Sequence, residues 1–82
     1  MNAAITLLKV RRFIDYEIPD LEAKIKKARK GSPKSVTELA AESGMSVANW
    51  YRIEAGKAEF LPEDTLHAME AALGESFSDS QQ

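Results

Sequence analysis

Between residues 20 and 74 apolar side chains recur at intervals of three and four, and the breaks in that rhythm fall on Gly and Pro, which predicts a series of short helices. In DLEAKIKKARKG (20–31), Leu21, Ile25 and Ala28 share a face. Asp20 stands at the N-cap, the far end is basic as a helix dipole favours, and Gly31 closes the run. In SVTELAAESG (35–44), Ser35 and Glu38 have capping-box spacing, Val36, Leu39 and Ala40 turn inward, and Gly44 supplies a left-handed residue past the helix end. Ser46 caps a third helix that stops before Gly56. Its inward face takes Val47 in part, Trp50 and Ile53, with Tyr51 left open between inward and outward. Pro62 opens a fourth, with Glu63 and Asp64 at its positive end and Leu66, Met69, Ala72 and Leu73 along one stripe until Gly74. The tail SFSDSQQ carries one apolar anchor, Phe77, and is expected to fray.

The first 18 residues do not follow this rhythm. ITLLKVRRFIDYEI fits a strand through Ile5, Leu7 and Phe13, or a helix through Leu7, Val10 and Ile14, and period alone does not choose. Enrichment in β-branched and aromatic residues favours a strand over residues 4–10. A lone strand in a helical chain has no ladder, so pairing with the same strand of a second copy, and hence a homodimer joined through this arm, is the expectation. The division expected is an arm at 1–18, a helical domain at 19–75 and a tail at 76–82.

Composition narrows the chemistry. Eighty-two residues suit one domain with little core to spare. Without cysteine there is no disulfide or thiolate metal site, and the single His67 cannot belong to a histidine cluster, so no metal is expected. No nucleophile with an adjacent base can be assembled around His67, and no Gly-rich phosphate loop follows a strand. Neither an enzyme nor a cofactor is therefore expected. No apolar run reaches the length of a membrane span, and the basic residues Lys9, Arg11 and Arg12 follow ITLL rather than precede it, so a cytoplasmic chain without a membrane partner is expected. The net charge is -2, yet it is segregated: residues 24–34 hold Lys24, Lys26, Lys27, Arg29, Lys30 and Lys34 with no acid, whereas 57–82 set one lysine against six acids. One end of the domain is suited to a polyanion and the other repels it.

Two short helices joined through Gly44, Met45 and Ser46 make the bend of a helix-turn-helix. On ELAAESGMS (38–46), WYRIEAGK (50–57) and TLHAMEAALG (65–74) the chain resembles the Cro/C1-type (XRE) helix-turn-helix family over roughly residues 20–74. The resemblance implies an all-α bundle of four to five helices and a transcriptional regulator that binds double-stranded DNA with helix 46–55 in the major groove. By position it implies base contacts from Val47, Ala48, Asn49 and Arg52, and phosphate contacts from Lys34, Ser35 and Lys57. It also implies a buried ion pair between Arg29 and Glu54, and close approach of helices two and three over Ala40. The chain departs from the family where Val36 replaces the usual Gln, where Phe60 takes the place of Pro, and where the fifth helix is short or missing after Gly74. With few bidentate base readers, VANWY can alternatively be read as an uncharged docking patch for a protein partner.

Overall fold

The computed structural model describes residues 7–11 and 16–77, with side chains at Val10 and from Glu17 onward. Within them lie four helices: α1 (Leu21–Lys30), α2 (Val36–Glu42), α3 (Val47–Glu54) and α4 (Glu63–Leu73). The chain is mostly helical, in line with the apolar rhythm. To this the structure adds a sheet that an all-α expectation left out. Strand β1 (Leu7–Arg11) lies in the centre, β2 (Tyr16–Pro19) pairs antiparallel on one side and β3 (Phe60–Pro62) parallel on the other.

Register explains why such short strands hold. Leu8 lies opposite Ile18 and Val10 opposite Leu61, so Val10, Ile18 and Leu61 share the inner face, and each is at most 1% exposed. Glu17, Pro19, Phe60 and Pro62 alternate outward. Among the residues whose side chains are described, one buried residue marks each of β2 and β3, too few for a period of two to be read from either segment alone.

Two expectations change as a result. β1 finds ladder partners on both sides within its own chain, which removes the reason for pairing it with a second copy. The arm is also not separate from the domain, because Val10 and Ile18 enter one core with Leu21, Ile25, Leu39, Trp50, Leu66 and Met69. At the other end Phe77 is buried in the same core, past the expected boundary at 75. The expected strand over 4–6 and the fraying tail at 78–82 lie outside the described residues.

Asp20 occupies the N-cap of α1 but does not cap it. Its backbone is left-handed (φ 55°, ψ 30°) and its side chain makes no capping hydrogen bond. The residue turns the chain from β2 into α1, a conformation that Asp tolerates better than most side chains. Pro62 ends β3 and stands as N-cap to α4, whose stripe of Leu66, Met69 and Ala72 is buried and whose end is a left-handed Gly74 (φ 70°).

Candidate nucleic-acid interface

Local signals build the α2–α3 corner. The Ser35 hydroxyl accepts the Glu38 N–H at 3.1 Å, and the Glu38 carboxylate accepts the Ser35 N–H at 2.9 Å, closing the capping box that starts α2. At its end Gly44 takes φ 73°, the Met45 N–H returns to the Ala40 carbonyl at 2.9 Å and the Gly44 N–H to Ala41 at 3.1 Å. This is the hydrogen-bond pattern of a left-handed helix stop, with Met45 packed against the core. Ser46 then accepts the Asn49 N–H at 3.1 Å and starts α3. Leu39 and Ala40 are buried beneath the junction.

The inner side of α3 is anchored by Trp50, fully buried, and Ile53, 2% exposed. Glu54 joins both neighbours. Its carboxylate receives Arg29 Nε at 2.6 Å and a second guanidinium nitrogen at 3.0 Å, and the indole N–H of Trp50 at 2.6 Å. Side-chain exposure is 5% for Glu54 and 18% for Arg29. The hydrogen bond to Glu54 is the main cause that raises the Arg29 pKa above its ordinary value, against the opposing effect of desolvation, so the guanidinium stays charged at any working pH. Arg29 also lies over the Tyr51 ring, 5.3 Å from its centroid. The ion pair implied by resemblance is thus present, with an indole donor that the sequence reading had not included. Tyr51, left open there, stands outward at 44% exposure.

On the opposite side of α3, Ala48 and Arg52 are exposed and Asn49 half-buried, whereas Val47, one turn before Trp50, is half-buried against the core. The Asn49 amide donates to the Met45 sulfur at 3.8 Å and accepts from Arg52 at 3.3 Å, so the polar residues of this face are already linked across one turn. Lys57 is exposed just past Gly56, and its N–H closes α3 on the Arg52 carbonyl at 3.1 Å.

Lys34 and Ser35 are placed differently from expectation. Lys34 Nζ donates to Glu42 at 2.7 Å and to the Ala72 carbonyl at 3.0 Å, tying the turn before α2 to the last turn of α4. Ser35 is spent in the capping box, which also brings a carboxylate to the start of α2, where a phosphate would otherwise find open N–H groups. The terminal residue of each motif was legible, but the competing partner was not. The basic run of α1 takes its orientation from Arg29. Lys26 lies one turn before Arg29, which meets α3 through Glu54, and Lys30 lies one turn after Lys26; both lysines are exposed.

His67 bridges Glu70, at 2.9 Å from Nδ1, and Glu63, at 3.8 Å from Nε2, on the flank of α4. Among the described residues no group of three or more His, Cys, Asp or Glu is placed to hold a metal ion, and no helix is long and apolar enough to cross a membrane. Compared with protein-family models, curated proteins and solved structures, the chain matches none.

Proposed function

We propose that the chain is a sequence-specific double-stranded DNA-binding protein, a transcriptional regulator of the helix-turn-helix kind, with α3 entering the major groove and α2 lying across the backbone. The observation that carries this reading is the uncovered face of α3. Trp50 and Ile53 are withdrawn into the core, while Ala48 and Arg52 are exposed and Asn49 half-buried on the other side of a helix capped at both ends, with Val47 half-buried against the core in its first turn. Val47 and Ala48 offer methyl groups to thymine, and Arg52 reaches guanine or the backbone. Phosphate contacts fall to Lys57 and to Lys26 and Lys30 beside the Arg29 anchor, with Lys34 able to join only by leaving Glu42 and Ala72.

Selection from randomised duplexes followed by a salt titration tests the proposal. An enriched sequence is expected, with affinity falling steeply with salt. Arg52→Ala is expected to flatten the preference, whereas Lys57→Ala weakens all sequences alike and lowers the salt slope by about 1. No enrichment, or affinity indifferent to salt, would move the reading to a protein partner. The exposed Tyr51 and Phe60, at 44% and 38%, favour that second reading. A homodimer joined by strand pairing would have to use an outer edge of β2 or β3, since β1 is flanked on both sides.

A further inference from the structure

A groove of about 640 Å³ opens between the C-terminal half of α1, the turn at 31–33 and the chain leaving α4. Ala28, Pro33, Leu73 and the edge of the buried Phe77 supply its apolar lining, and the side chains of Lys24 and Lys27 from α1 line its side. Neither has a hydrogen-bond or ion-pair partner among the described residues. The lining contains one acid, Glu75, so cations outnumber anions two to one. Ser32 accepts the Lys34 N–H at 3.1 Å and retains its own hydroxyl hydrogen for an acceptor in the groove.

The walls are held in place before any ligand arrives. The Phe77 N–H donates to the Glu70 carboxylate at 2.7 Å, Glu70 is fixed in turn by His67, and the Gly74 and Glu75 N–H groups both return to the Glu70 carbonyl. Across one end, the bond from Lys34 to the Ala72 carbonyl ties the loop wall to the α4 wall. The volume lies within the roughly 300–1,000 Å³ of small-molecule sites, and an apolar lining with a few convergent polar groups is their usual chemistry. A nucleic-acid backbone would gain nothing from Leu73 and Phe77, and an apolar body without charge would leave the two ammonium groups unused.

We infer that this groove binds a small amphipathic carboxylate, its apolar body against Pro33 and Leu73 over the buried Phe77 and its carboxylate between Lys24 and Lys27. The site is separate from the exposed face of α3, although α1 carries both Lys27 and the Arg29 that clamps α3. Such a ligand would therefore touch the helix on which the α3 anchor depends.

The test is an amide NMR titration of the full chain, without DNA, using 1-naphthoate and its neutral methyl ester. Naphthoate is expected to shift resonances at 24–33 and 73–77, and the ester to bind at least about tenfold more weakly. The Lys24→Gln/Lys27→Gln double variant, which alters one half-buried and one exposed side chain while keeping most of their length, should keep the parent spectrum elsewhere and is expected to lose about tenfold in naphthoate affinity. Ala28→Trp, which fills the groove, is expected to abolish the shifts. The inference is overturned if those two segments do not move, if acid and ester bind alike, or if the lysine variant binds as the parent does. Because DNA is absent, its failure and that of the DNA-binding proposal are read separately.

Discussion

Truncating Glu54 to alanine removes three hydrogen bonds in one step. Arg29 loses a two-pronged contact at 2.6 and 3.0 Å, and the Trp50 indole loses its acceptor at 2.6 Å. Breaking a fully buried ion pair from one side costs about 3–5 kcal/mol, because the other charge is left without a partner. Arg29 keeps 18% of its side-chain surface in water and its contact with Tyr51, which argues for the lower end of that range. A buried N–H left without an acceptor adds about 1–3 kcal/mol, part of which local relaxation recovers. Together these place the loss at about 4 kcal/mol. A domain of this length has only about 4–12 kcal/mol in total, so the variant should lose a third or more of its stability and melt at least about 15 °C lower. Urea unfolding followed through the fluorescence of Trp50, the only tryptophan, measures it directly. Glu54→Gln keeps an oxygen for the indole while giving up the charge, and is expected to lose about half as much. A Glu54→Ala chain within about 1 kcal/mol of the parent, or Ala and Gln variants of equal stability, would refute the claim that this carboxylate holds α1 to α3.

Three further outcomes follow from the core. Both carboxylate oxygens of Glu22 are buried at the start of α1 with no hydrogen-bond donor among the described residues, so Glu22→Met, of similar length, is expected to raise stability by about 1–2 kcal/mol; a lower melting temperature would count against it. Val10→Ala, in the fully buried centre of the sheet, should cost about 2 kcal/mol, and removal of residues 1–16 should abolish cooperative unfolding rather than merely alter the mass in solution. A truncated chain that still melts sharply would show that the helices fold without β1.

Much of the candidate interface was readable because its signals are local. A capping box needs residues three apart, a left-handed stop needs one glycine, and the inward stripe of α3 needs only helical spacing; Ser35 with Glu38, Gly44, and Trp50 with Ile53 stand as that logic requires. The partner of Glu54 lies 25 residues away, and no local pattern points to it; it entered through resemblance to a family. Lys34 shows the opposite failure, since its charge and position suited a phosphate while the Ala72 carbonyl that engages it lies 38 residues on.

What the sequence by itself determined is where the helices run, which side of each is apolar, and that positive charge gathers on α1 and negative charge beyond residue 57. What only the tertiary structure decided is the sheet, the commitment of Lys34 and Ser35 to internal partners, and the groove beside α1. The reason is the range of the interactions. A helix satisfies its backbone among residues four apart and announces itself within a dozen positions, whereas a strand of three or four residues is stable only because a neighbour supplies its hydrogen bonds. For β3 that neighbour is β1, about fifty positions earlier in the chain.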